Sequence, residues 1–376
     1  MLNRNVFRRL VCAPLLLALA AAAPQAYPQP PLKTRNVVLV VSDGLRWQEV
    51  FTGADPTLLN EKYGGIWDKE AELRREFWRD DVNERRRVLF PFLWGTVVPQ
   101  GQIFGNQTKG SIARVTNGFA FSYPGYNEML SGHPDPRINT NEFGPNPNVT
   151  VFEWLNGQPG LQGRVAAHAG WATFKDIFNV GRSRLPVRAG WEVPYPAATT
   201  AREQLLNRLV ETHTRFDFED LDDSFMQVRL LDSLAKTHPR VLFVGYGETD
   251  DWGHAGRYDL LLHAAHSFDR FLAELWSTLQ RMPDYRGTTT FIITCDHGRG
   301  SGLTEWKEHG VGQKGSENVW IAVMGPDTAP LGERTGTPEV HQAQIAATLA
   351  ALLGEDYPRA VPAAAPPLPD VVGKGH

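Results

Sequence analysis

Asn36-Val-Val-Leu-Val-Val-Ser-Asp43 is a short, uninterrupted apolar run, rich in β-branched residues, that ends on an acid. Strands that are buried on both faces, as in a parallel sheet, read this way rather than alternating apolar with polar. Two more runs repeat the form. Arg240-Val-Leu-Phe-Val-Gly245 leads into Asp250, and Thr288-Thr-Thr-Phe-Ile-Ile-Thr294 leads into Asp296. A fourth run, Val319-Trp-Ile-Ala-Val-Met324, also reads as a strand. Helical patterns lie between and beyond them, over Lys69–Val88, Arg202–Val210, Phe225–Leu234, Tyr258–Leu279 and Val340–Leu353. Alternation of this kind predicts an α/β fold with a central, mixed but mainly parallel sheet flanked by helices. Ligands bind such sheets beyond the carboxyl ends of the strands, where these acids fall.

Around that frame the 376 residues divide unevenly. Arg4, Arg8 and Arg9 precede an apolar run, Leu10–Ala23, too short to span a bilayer as a stable helix. Residues 1–23 are therefore expected to be a secretory signal peptide. Residues 34–356 are expected to form one catalytic domain. Within it, the less regular stretch 157–223 reads either as an inserted cap or as long connections. Residues 357–376 form a Pro- and Ala-rich tail that reads as a poorly ordered end.

Removing 1–23 takes away three arginines and leaves 35 basic against 42 acidic residues. That balance argues against nucleic acid or anionic membrane as a specific partner. It also takes away Cys12 and leaves Cys295 alone, so the mature chain can form no internal disulfide. This is compatible with a periplasmic or secreted location. No later stretch has the length of a membrane span.

Asp43, Asp250, His254, Asp296, His297 and His309 are the candidate metal ligands, a donor set suited to Zn²⁺ and related ions. Asp250 and His254 are four apart and share a helical face. Phe121-Ser-Tyr-Pro-Gly-Tyr-Asn-Glu-Met-Leu-Ser-Gly132 predicts a helix with Pro124 just inside its start and Gly132 at its end. Ser122 then falls at or before the N-cap. There it is ordinary helix punctuation, or a hydroxyl facing backbone N–H groups that stabilise an anion.

Together these blocks resemble the alkaline phosphatase superfamily, and more narrowly its type I phosphodiesterase and nucleotide pyrophosphatase branch. Val40-Val-Ser-Asp43-Gly-Leu-Arg46 resembles the first metal motif, and Ser122-Tyr-Pro with Ser131-Gly132 the nucleophile motif. Asp250-Asp-Trp-Gly-His254 resembles the second metal block. Cys295-Asp296-His297-Gly298 with Glu308-His309-Gly310 resembles the closing block. The resemblance implies two divalent ions, with zinc expected. One would be held by Asp250, His254 and His309, the other by Asp43, Ser122, Asp296 and His297. It implies a small-molecule phosphate mono- or diester as substrate and a phosphoseryl intermediate on Ser122. It also implies an asparagine after the nucleophile helix that binds a phosphoryl oxygen, for which Asn139 and Asn141 are both candidates.

There are departures. Tyr126 stands where a sulfatase has Arg, and Gly44 where a sulfatase has a second Asp. Gly125 stands where the phosphodiesterases have Asn. A sulfatase and a phosphomutase of the same superfamily are the rival enzymes. A metal-binding protein without turnover is the rival of another class.

Overall fold

The computed structural model describes residues 31–67, 69–216 and 219–373, so the expected signal peptide lies outside the described residues. Among the described residues, ten strands occur in chain order: β1 (Asn36–Ser42), β2 (Gln102–Phe104), β3 (Ala113–Arg114), β4 (Val165–Ala169) and β5 (Val187–Ala189), then β6 (Val241–Tyr246), β7 (Thr289–Thr294), β8 (Ile321–Met324), β9 (Gly332–Glu333) and β10 (Val340–His341). Eight of them make one sheet in the order β5-β4-β6-β1-β7-β8-β2-β9, while β10 and β3 pair apart from it. All pairings in the large sheet are parallel except those of β8 with β7 and with β2. The fold class read from the sequence is the one observed.

The four apolar runs lie at the middle of the sheet, and every residue of β1, β6, β7 and β8 is buried. Continuous hydrophobicity without alternation thus follows from cover on both faces. β1 sits between β6 and β7, so the three acid-terminated strands are immediate neighbours.

Segment 157–223 corrects the cap reading. It supplies β4 and β5 to the main sheet, so it is integral to the domain and not an independent insert. The Ala-rich Val165-Ala-Ala-His-Ala169 carries little β-branched signal, which concealed the strand. The Lys69–Val88 pattern is broken into Glu70–Phe77 and Val82–Leu89, the second capped by Asp81, whose carboxylate accepts the Glu84 N–H at 2.9 Å. The Val340–Leu353 pattern is helical only over Gln344–Leu352, because Val340 and His341 are used in β10.

The described part of the tail is packed, contrary to the expectation of a poorly ordered end. Tyr357, Leu368 and Val371 are buried. The Leu368 N–H donates to Thr348 Oγ1 at 2.8 Å and Gln102 Nε2 donates to the Asp370 carbonyl at 2.7 Å. Among the described residues, no helix is long and apolar enough to cross a membrane.

Candidate metal centre

Each acid emerges where its strand ends. Asp43 follows β1, Asp296 follows β7 by two residues, and Asp250 lies in the Glu248–His254 helix just beyond β6. Adjacent parallel strands therefore deliver three carboxylates to one edge of the sheet, and the 305–310 connection brings in His309.

The carboxylates are oriented by their second oxygens. Tyr126 Oη donates to Asp43 Oδ2 at 2.9 Å, and the Gly44 N–H donates to Asp296 Oδ1 at 3.0 Å. That leaves Asp43 Oδ1 and Asp296 Oδ2 buried without a hydrogen bond, 3.3 and 3.4 Å from His297 Nε2. His297 Nδ1 lies 2.8 Å from the Gly298 carbonyl. A carbonyl can only accept, so Nδ1 carries a proton and Nε2 is the ring nitrogen that faces the carboxylates.

A second group lies against the first. His254 Nε2 is 3.2 Å from Asp250 Oδ2 and 2.8 Å from His309 Nε2, while His309 Nε2 is 3.7 Å from Asp250 Oδ1. Asp43, Asp296 and His297 present ligand atoms all within 4.8 Å of one another, and so do Asp250, His297 and His309. His297 stands between the two groups.

The electrostatics are those of crowded acids and imidazoles competing for positive charge. Burial alone would lower His297, but Asp296 and Asp43 outweigh it and hold the imidazole up to about 9. Burial, and then the charge of His297, push His309 down to about 2. Burial, reinforced by Asp43, raises the Asp296 carboxyl well above its ordinary range. For Asp250 burial raises the value, but Arg299 and the histidines prevail and hold it well below. Buried carboxylate oxygens without donors, beside imidazole nitrogens, are the donor chemistry that divalent cations satisfy, and the residues present fit such ions.

Ser122 opens the Ser122–Ser131 helix, with Phe121 as N-cap, and its Oγ lies 3.3 Å from His297 Nε2. Gly132 closes that helix at φ 79°, as the sequence pattern implies. Two devices position the serine. Ala120, two residues before it, is held at φ 50°, a left-handed conformation that L residues avoid, while Asn117 Oδ1 accepts the Phe119 and Ala120 N–H groups. Glu128, buried on the same helix, accepts from the Thr116 and Asn117 N–H groups and from their side chains, at 2.8–3.0 Å. Burial still leaves its carboxyl above the ordinary value. Glu128→Gln would set an amide NH₂ against those donors, so a stability loss of about 2 kcal/mol in chemical denaturation is expected.

Of the asparagines, Asn141 lines the cleft over the site, and its Oδ1 accepts the Tyr123 N–H at 3.0 Å, which leaves Nδ2 to donate. Asn139 is exposed and does not line the cleft. Asp251 lines the cleft as well, but Asp250 carries the ligand-group oxygens. His263 and His266 stay helix-face residues packed on Phe77, away from the site.

Sequence reasoning missed Arg299, although it lies two residues beyond His297. It is fully buried, donates to the Trp306 and Lys307 carbonyls, and pairs with Asp250 Oδ1. Tyr126 and Glu128 were missed too, because their partners are fixed by tertiary contact.

With this geometry in view, residues 209–357 match the model of the Metalloenzyme superfamily. A 2,3-bisphosphoglycerate-independent phosphoglycerate mutase from Gracilaria tenuistipitata var. liui is 29% identical over 203 residues, which are 53% of this chain. The chain spans only 38% of that relative's length. Wild-type alkaline phosphatase PafA superposes with a TM-score of 0.55 at 12% identity, over 92% of this chain and 99% of its own. The phosphonate monoester hydrolase SpPMH from Silicibacter pomeroyi gives a TM-score of 0.51 at 11% identity, over 88% of this chain and 76% of its own. The mostly parallel eight-stranded sheet of this chain is the alkaline phosphatase-like fold.

Proposed function

We propose that this protein is an exported, metal-dependent hydrolase of phosphate mono- or diesters that acts through Ser122, in the manner of the phosphodiesterase branch. The observation that carries the reading is the placement of Ser122 Oγ 3.3 Å from His297 Nε2, at the start of a helix and against two His/Asp ligand groups. A mononuclear or purely structural metal site would not need a hydroxyl there.

Asp43, Asp296 and His297, with Ser122, would hold one ion, and Asp250, His254 and His309 the other. Two divalent ions, with zinc expected, would supply positive charge against the phosphoryl oxygens and acidify the serine hydroxyl. Ser122 Oγ attacks phosphorus in line with the ester oxygen. Its P–O bond forms as the ester bond breaks, the serine proton passes to solvent, and the departing alcohol takes a proton up. Water then cleaves the phosphoseryl bond and restores the hydroxyl. Asn141 Nδ2 donates to a non-bridging oxygen. Helix N–H groups stabilise the same negative charge. Tyr126 supports phosphate over sulfate chemistry, since it spends its hydroxyl on Asp43 where a sulfatase would present a guanidinium. Export to the periplasm or medium is read from residues 1–23.

The test is hydrolysis of p-nitrophenyl phosphate, bis(p-nitrophenyl) phosphate and p-nitrophenyl sulfate by the mature protein. Phosphate-ester cleavage abolished by chelator and restored by Zn²⁺ is expected. Cleavage of the sulfate alone would transfer the assignment to a sulfatase. No turnover of any of them, with two zinc ions bound per chain, would leave a binding protein.

A further inference from the structure

We infer that a second anion site lies at the edge of the sheet opposite the metal centre, where Arg35, Arg164 and Arg240 are placed to hold a phosphate-bearing ligand. Each arginine immediately precedes a strand: Arg164 stands before β4, Arg240 before β6 and Arg35 before β1. Those strands are parallel neighbours, so three successive strand starts bring their arginines to one place. The backbone fixes the spacing. The Arg240 N–H donates to the Arg164 carbonyl at 2.6 Å, and the Val37 N–H donates to the Arg240 carbonyl at 2.9 Å. With Asn36, Asp284 and Thr288 the arginines line a cleft of about 630 Å³. β1 is seven residues long, which puts this cleft about 20 Å from the ligand groups at the other end of the strands.

The cleft gathers positive charge without a matching acid. Among the described residues, none of the three guanidiniums pairs with a carboxylate, and Asp284, the one acid of the lining, stands 3.0 Å from His238 Nδ1 instead. The arginines bond carbonyls. Arg164 Nε donates to His238 at 3.0 Å, while Arg240 Nε and Nη1 donate to Arg35 at 2.9 Å and to Gly160 at 3.2 Å. These bonds direct two guanidiniums but leave Arg164 Nη1 and Nη2 and all the N–H groups of Arg35 without an acceptor among the described residues. Burial, and then the charges of Arg164 and Arg35, hold the Arg240 guanidinium below its ordinary value. A solitary surface arginine swings away from like charge. Here the carbonyls hold two of them in the cleft with the third, and an anion bridging them relieves the repulsion.

The chemistry selects phosphate over carboxylate. The two oxygens of a carboxylate satisfy one guanidinium fork, whereas a phosphoryl group presents further oxygens and can meet several forks at once. The volume of the cleft leaves room for the group that carries the phosphate.

The experiment maps phenylglyoxal modification of arginines, peptide by peptide, in the zinc-restored mature protein at constant ionic strength, with inorganic phosphate as the probe. Phosphate is expected to protect Arg35, Arg164 and Arg240, while the exposed Arg75 and Arg87 react as before. The Arg35 side chain makes no hydrogen bond to the described residues, so Arg35→Gln leaves the fold intact. In that variant, half-protection of Arg164 is expected to need ~10-fold more phosphate, the loss of one charge-assisted contact. Sedimentation with phosphatidylcholine vesicles, with and without phosphatidic acid, separates the sources of the phosphate. Binding that needs phosphatidic acid and is lost in Arg35→Gln would assign the site to a lipid headgroup. Protection in solution without vesicle binding would assign it to a soluble ligand. No protection of the three arginines, equal protection of Arg75 and Arg87, or half-protection unchanged in Arg35→Gln would each overturn the site.

Discussion

Ser122→Ala is expected to lower kcat/KM for phosphate esters by at least ~10³-fold while thermal stability and zinc content hold. The structure separates this outcome from the ordinary one for a serine near a helix start. Phe121, not Ser122, is the N-cap, and no side-chain cap hydrogen bond exists at this end, so the hydroxyl does no capping to be lost. Alanine is also an excellent helix residue. Asp43, Asp296 and His297 remain to hold their ion. A pure loss of turnover, read from initial rates beside metal analysis and a melting curve, is thus the signature of a nucleophile. Undiminished turnover would remove Ser122 from the mechanism.

Gly44→Ala is expected to be damaging in another way. Gly44 has φ +59°, and a Cβ there would stand 2.2 Å from Asp250 Oδ1 and 2.9 Å from Arg299 Nη1. The peptide cannot simply rotate away, because its N–H is the donor that fixes Asp296. One methyl group would therefore disturb carboxylates of both ligand groups. Zinc is expected to fall from two per chain to one or fewer, with a stability loss of about 3 kcal/mol from strain and overpacking. Gly287→Ala is the control. It has a similar φ of +67° with nothing within 4 Å, so strain alone, about 1 kcal/mol, should appear, with zinc content intact. Full zinc content in Gly44→Ala would show that Asp250 is not a ligand or moves freely.

The places of the candidate ligands and the sheet centre were legible because both are written locally. An apolar run covered on two faces cannot alternate, and the acid that ends it has a fixed place at the sheet edge. Asp43, Asp250 and Asp296 could be placed in this way, and His254 by its spacing from Asp250. What surrounds them was not legible. Glu128 is read only against Thr116 and Asn117, Tyr126 only against Asp43, and Arg299 only against Asp250, all of them partners set by the folded chain. The outer strands of the sheet were hidden for a different reason. β4 is mostly alanine, and β2 and β9 have three and two residues, too few for a periodicity to show. The packed tail was masked by its own composition, since Pro and Ala read as disorder when their neighbours are unknown.

The central position of β1 also bears on how the site comes into being. Gly44 meets Asp296 across 252 residues of chain, and the Asp43 carbonyl meets Thr249 across 206. Contacts so distant in sequence demand costly loop closures and form slowly. Neither ligand group can be assembled from a nascent fragment that stops short of β7 and His309. Capture of an ion by either group would then come late in folding, and a stopped-flow zinc indicator is expected to time the completion of the sheet itself.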